Sequence, residues 1–147
     1  MITKRNKNIL IVNSNYYPKI SKNLLEETKE TILENKMNYT LETVTGVFEI
    51  PAIITFSKHQ FDGYVALGCV IRGETSHYDY VCNESARALM NFSLEGIAIG
   101  YGILTVENLE QAITRSITKN SNIGKGKVAA LACINQIKLK TKYTNGS

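Results

Sequence analysis

His77 is one of two histidines in this chain of 147 residues, and it stands in the run Gly73-Glu74-Thr75-Ser76-His77-Tyr78-Asp79-Tyr80. An imidazole titrates near neutrality and can both give and take a proton. A histidine in a glycine-containing turn, with a carboxylate two residues on that can orient the ring, therefore suits general acid and base work. A plain surface histidine fits the same position equally well. The turn also offers the backbone N–H groups of Gly73 and Thr75 close to a helix start, which is anion-binding geometry. Glu49 lies between Phe48 and Ile50. A carboxylate there either meets hydroxyl or amine donors or serves the N-terminus of a helix that begins around Pro51. Tyr16, Phe48 and Tyr101 can each be a simple apolar cap, but three aromatics at the ends of predicted strands suit a flat heterocycle held by stacking. Arg115 and Lys119 are four apart, which puts them on one helical face, a solvated one by default and away from any strand end. His59, in Lys58-His59-Gln60, reads as a surface helix end.

Other chemistries lose their usual support. No GxxxxGK[ST] or GxGxxG follows a predicted strand, which removes the usual phosphate-transfer and dinucleotide fingerprints. Cys69, Cys82 and Cys133 are odd in number, widely spaced, outside any CxxC and set among apolar residues, so they read as reduced thiols and not as a disulfide framework or zinc site. The formal charge is +4, with the excess at the two ends: residues 1–25 and 111–147 carry bases and no acid. Lys138, Lys140 and Lys142 read as a solvated basic tail, and without aromatic interleaving or a nucleic-acid motif the charge favours a small anionic ligand over nucleic acid. The longest apolar runs, Tyr64 to Ile71, Ile97 to Leu104 and Val128 to Ile134, fall well below the ~18 residues of a membrane span, so no membrane association is expected. Lys4, Arg5 and Lys7 precede Ile9 with no apolar stretch that would make a signal peptide, and the cytoplasm is the expected location.

These residues need elements to position them. Length and an apolar content of about 46%, counting Gly and leaving out Tyr, predict one globular domain over 1–147 with short basic tails. Asn8 to Asn13 reads as a buried strand, followed by Ser21 as an N-cap and an amphipathic helix from Lys22 to Lys36. Tyr39 to Val44 alternates as a second strand, Gly46 breaks it, and Pro51 sits in the first turn of a helix. Tyr64 to Val70 is a third strand before a helix near Tyr80 to Asn91, and Ile97 to Tyr101 a fourth before a helix near Val106 to Thr118. Gly124 and Gly126 open a last helix, Val128 to Lys138. Continuously apolar strands alternating with helices predict an α/β fold, an open four-stranded parallel sheet flanked by helices on both faces in a flavodoxin-like layered sandwich. Ligands bind such sheets beyond the carboxyl ends of the strands. There the chain places Tyr16 and Tyr17, then Val47 to Glu49, then Arg72 to His77, then Tyr101 and Thr105.

Three stretches carry a family resemblance: Gly46-Val47-Phe48-Glu49-Ile50-Pro51, then the long run from Ala66 through Gly68-Cys69-Val70-Ile71-Arg72-Gly73-Glu74-Thr75-Ser76-His77 to Glu84, then Gly102-Ile103-Leu104-Thr105 with Glu110-Gln111-Ala112. The chain resembles the lumazine synthase family from about Ile9 to Ile137. The resemblance implies condensation of 5-amino-6-(D-ribitylamino)uracil with 3,4-dihydroxy-2-butanone 4-phosphate to 6,7-dimethyl-8-ribityllumazine, phosphate and water, the penultimate step of riboflavin biosynthesis, with no metal or cofactor. It implies that Tyr16 stacks on the pyrimidine, that Val47, Phe48, Glu49, Cys69, Val70 and Ile71 hold the ribityl chain and ring edges, and that Glu74 and Thr75 receive the phosphate. It makes His77 the proton-transfer residue. Tyr101 and the phosphate-binding Arg115 are implied to come from the adjacent subunit of a pentameric ring, which either stands alone or builds an icosahedral capsid.

The chain also departs from the family pattern. Ile123 occupies a usual lysine position, Ser121 and Ile117 replace glycines, Thr45 replaces a proline, and Tyr16 stands where phenylalanine is common. Lys119 and Lys125 are the neighbouring bases that could replace the lost lysine. Two alternatives to the enzyme are a noncatalytic scaffold that binds a ribityl-bearing flavin or lumazine, and an unrelated flavodoxin-like phosphate-binding module. Glu49, His77 and Arg115 together favour the enzyme, since storing a flavin needs stacking but no proton shuttle.

Overall fold

A computed structural model describes residues 6–144 of the chain. Lys4 and Arg5, the start of the expected basic N-terminal tail, lie outside the described residues. Among the described residues, strands β1 (Asn8–Ser14), β2 (Asn38–Val44), β3 (Gly63–Ile71) and β4 (Ile99–Val106) pair in parallel in the order β2-β1-β3-β4. The helices are α1 (Pro18–Glu34), α2 (Ile50–Phe56), α3 (His77–Leu94), α4 (Leu109–Ser116) and α5 (Lys125–Thr144). This is the predicted open, layered α/β architecture.

Successive strand residues point to opposite faces, and here both faces are covered. Ile9, Ile11, Val65, Leu67 and Leu104 pack with Leu24, Ala112, Ala130 and Cys133 under α1, α4 and α5. Leu10, Val12, Tyr64, Ala66 and Ile103 pack with Ile54, Leu89 and Phe92 under α2 and α3. The central strands β1 and β3 therefore need apolar residues in unbroken runs. β2 lies at one edge, and its half-buried residues alternate with exposed ones over its first five positions. No helix among the described residues is long and apolar enough to cross a membrane.

Element boundaries depart from the sequence expectation for identifiable reasons. α1 starts at Pro18, whose fixed φ suits a first helical position. Ser21 is therefore not a cap; it is buried one turn into α1, where its Oγ accepts a 2.7 Å bond from Asn13 Nδ2. α3 begins at His77 and not near Tyr80. β4 starts at Ile99 and runs past Tyr101 to Val106, because Ile103, Leu104 and Val106 are buried in register with Gly68, Cys69 and Ile71 of β3. α4 is shorter than Val106 to Thr118: Asn108 Oδ1 caps it by accepting from Gln111 N at 2.9 Å, and Ile117 ends it in an extended conformation. α5 continues to Thr144, so Lys138, Lys140 and Lys142 are exposed positions on a helix and not a loose tail. Lysine is a good helix former, and Ile137 still anchors that turn in the core.

Candidate active site

From β1 the chain goes to β2 on one side, and β3 then returns on the other. The strand order reverses there, which opens a crevice beyond the carboxyl ends. A cleft of about 410 Å³ occupies that place. Tyr16 and Tyr17 border it after β1, Gly46 to Glu49 after β2, and Cys69 to Ile71 at the end of β3. Gly73, Thr75, His77, Tyr78 and Val81 close it from the loop and the first turns of α3. Nine of the expected site residues thus meet: Tyr16, Val47, Phe48, Glu49, Cys69, Val70, Ile71, Thr75 and His77. Glu74 is exposed on the same loop but does not border the cleft.

Short-range contacts hold these segments together. Ser14 Oγ donates to the Thr45 carbonyl at 3.0 Å and Asn15 N to the Val44 carbonyl at 3.0 Å, tying the ends of β1 and β2. The chain then makes one 3-10 turn, Val47–Glu49, closed by a 3.1 Å bond from Glu49 N to the Gly46 carbonyl. Val47 drops from this turn onto β3 at Gly68, where a Cβ would stand 2.6 Å from Val47 Cγ2, so the close approach requires glycine. Phe48 and Tyr16 are left 60% and 64% exposed, while Tyr16 meets Tyr17 edge-on with ring centroids 5.0 Å apart. Large aromatics so exposed at a cleft mouth keep a face open for a planar ligand.

Glu49 is exposed and sits at the N-cap position of α2, with its carboxylate folded over Gly46. The 3-10 turn leaves the side chain exposed at the cleft border, where a bound ligand could supply the expected hydroxyl or amine donors, and at the N-cap of α2, which is the other place the sequence offered for it. The helix-terminus place and the cleft border coincide in this one residue. His77, the first residue of α3, is exposed at the cleft, and its backbone N donates to Thr75 Oγ1 at 3.3 Å. Asp79 does not orient the imidazole; its Oδ1 pairs with Arg72 Nη1 at 3.4 Å. Burial pushes the Cys69 thiol up to about 11 and the core Cys133 thiol up to about 12, so both are neutral thiols near pH 7. Among the described residues no group of three or more His, Cys, Asp or Glu gathers to hold a metal ion.

Tyr101 and Arg115 lie elsewhere. Tyr101 is not beyond a strand end: it is the third residue of β4, opposite Ala66, half-buried on the α3 face. Arg115 borders a second recess of about 210 Å³ with Ile103 to Thr105, Asn122, Ile123 and Lys125. It therefore sits beside the last residues of β4 and not away from strand ends. Lys125 Nζ stands 5.8 Å from the Tyr101 ring centroid, so Tyr101, Arg115 and Lys125 gather around the outer strand of the sheet. Arg115 and Lys119 do not share a helical face, since α4 stops at Ser116 and Lys119 exchanges backbone bonds of 2.9 and 3.0 Å with Asn122 in the following turn. Tyr17, placed by the strand order at this edge, borders the cleft too, and so do Tyr78 and Val81, which the sequence reading did not single out. The i, i+4 spacing of His77 and Val81 was the available signal, and it becomes usable only once α3 is known to start at His77.

A family profile described as 6,7-dimethyl-8-ribityllumazine synthase matches residues 6–141. A protein of that name from Bartonella tribocorum is 45% identical over 144 residues, 95% of this chain and 94% of the relative. One from Bartonella henselae is 46% identical over 140 residues, 92% and 89% of the two chains. Another from Sphingopyxis alaskensis is 41% identical over 140 residues, 94% and 98%. Similarity at this level runs through every strand that ends at the cleft and through the recess behind β4, and on that ground the chain belongs to the 6,7-dimethyl-8-ribityllumazine synthase family.

Proposed function

We propose that the protein condenses 5-amino-6-(D-ribitylamino)uracil with 3,4-dihydroxy-2-butanone 4-phosphate to give 6,7-dimethyl-8-ribityllumazine, phosphate and water. The observation that carries this reading is the convergence, at the sheet's switch point, of two open aromatic faces (Tyr16, Phe48), a carboxylate (Glu49) and an accessible imidazole (His77). The arylamine attacks the ketone, loses a proton and expels water as the Schiff base forms; phosphate leaves by elimination, and ring closure releases the second water. Each step moves a proton, and His77 is the group at the cleft suited to move it. Tyr16 and Phe48 stack on the pyrimidine, while Val47, Glu49, Cys69, Val70 and Ile71 line the ring edges and ribityl chain. No described protein acceptor takes the backbone N–H groups of Glu74 and Thr75, at the N-terminus of the 18-residue α3, and these suit the phosphate. Holding both reactants in one cleft supplies acceleration that proton transfer alone does not.

Tyr101 and Arg115 complete the site from a neighbouring subunit of a pentameric ring in this reading. Tyr101 on the outer strand β4, and Arg115 in a recess separate from the cleft, lie at the opposite edge of the sheet from β2, which supports that division. The three free thiols, Cys69, Cys82 and Cys133, fit a reducing cytoplasm. Lumazine fluorescence on mixing the two substrates with the purified protein tests the activity. A folded protein that makes no lumazine but copurifies with flavin absorbance would instead be the scaffold relative, and one that does neither a phosphate-binding module.

A further inference from the structure

The loop that delivers His77 has few ties of its own. Gly73 to Thr75 are exposed, Ser76 at the N-cap of α3 makes no side-chain cap bond, and the 3.3 Å bond from His77 N to Thr75 Oγ1 is long. Arg72, at the root of this loop, reaches across it. Its backbone N donates to the Val106 carbonyl at 2.9 Å, and its Nε donates to Glu107 Oε2 at 2.6 Å. Glu107 is itself held, because its N–H donates to Gln111 Oε1 at 2.8 Å beside the Asn108 cap of α4. The other end of the guanidinium lies 3.4 Å from Asp79 Oδ1 and stacks 4.3 Å above the Tyr78 ring. One planar cation thus joins the firm start of α4 to the two residues that follow His77.

We propose that Arg72 is a positioning residue, a clamp that holds the first turn of α3 against the β4–α4 loop so that His77 faces the cleft. It acts through His77 and need not touch substrate, and the inference rests on the lumazine-forming reading above. The two ion pairs are exposed, so neither contributes much to global stability. Their joint effect falls on geometry, where a displacement of about 1 Å costs up to ~10²-fold in rate. Lysine keeps the charge but cannot fork between two carboxylates and stack on a ring at once.

A double-mutant cycle with amide hydrogen exchange tests this. Arg72→Gln is expected to lower kcat about tenfold with both KM values within about twofold, and Arg72→Lys to recover only part of that loss. In a His77→Ala background the same Arg72→Gln change is expected to cost less than about twofold, since the clamp has nothing left to aim. Amide exchange over residues 73–80 is expected to rise in Arg72→Gln while that of α1 and α5 stays at the wild-type level. An equal tenfold loss in both backgrounds, or unchanged exchange over 73–80, would overturn the clamp. A wild-type protein that makes no lumazine defeats the underlying reading instead, and the exchange comparison still decides whether Arg72 holds the loop.

Discussion

At the scale of single residues, the cleft separates groups that move protons from groups that add contact area. His77→Ala is expected to lower kcat on the order of 10²-fold while the product Kd changes little, because the imidazole is exposed and contributes little stacking surface. Steady-state rates and titration of lumazine fluorescence check the two halves, and unchanged turnover would remove His77 from the chemistry. A second question concerns which base serves the phosphate, since Ile123 stands where the family resemblance implies a lysine. The sequence left Lys119 and Lys125 as equals, but only Lys125 lies in the recess with Arg115 and Ile123. Lys125→Ala is therefore expected to raise the KM for the butanone phosphate about two- to fivefold at low ionic strength, an effect that fades with added salt, while Lys119→Ala leaves it unchanged. The reverse order would move the anion site towards the turn at Lys119.

At the scale of elements, the loop between α4 and α5 depends on a contact that joins positions 91 residues apart. Glu27, on α1, accepts from Thr118 N at 2.6 Å and from Thr118 Oγ1 at 2.7 Å, and that hydroxyl accepts in turn from Gly124 N at 2.9 Å. The carboxylate thereby fixes the loop that carries Ile123 beside Arg115 and leads into α5. Glu27→Ala is expected to destabilise the fold by about 1 kcal/mol after allowing for solvent screening, which lowers Tm by about 2–4 °C in a chain of this size. Thermal denaturation followed by circular dichroism measures this. A Tm equal to that of the wild type would mean that the loop holds its shape without α1.

At the scale of the whole molecule, one chain carries the cleft at the ends of β1 to β3 and a separate cationic recess at β4. If neighbouring subunits bring the two together, defects in the two halves complement each other. His77→Ala and Arg115→Ala chains are each expected to be poorly active. A ring refolded from equal amounts of both places an intact His77 beside an intact Arg115 at about one interface in four, because contacts in a cyclic ring run head to tail. Activity is then expected to recover towards roughly a quarter of wild type. Verified hybrid rings that show only the average of their parents would place both residues in one chain's site and defeat the shared arrangement.

The sequence by itself determined the architecture, because the periodicity of burial is local. Ile9 to Val12 and Tyr64 to Ile71 are apolar without alternation, which parallel central strands require, and the polar, Gly- and Pro-marked breaks between them set the order of elements. It also determined much of the cleft, since residues that follow parallel strands in sequence must meet at one sheet edge, and Tyr16, Val47 to Glu49 and His77 all do so, while Cys69 to Ile71, the last residues of β3, were expected there only from the family resemblance. Only the tertiary structure decided that β4 runs on through Tyr101 to Val106, because register with β3 and burial on it extend the strand beyond Gly102. It alone turned Asp79 towards Arg72, whose guanidinium is held by Glu107 35 residues further along, and set the 3-10 turn that leaves Glu49 exposed over Gly46, because neither arrangement shows in residue spacing. The separation of Arg115 from His77 belongs to the same class: sequence spacing orders residues along one helix or strand, whereas which recess a side chain enters is set by how whole elements pack.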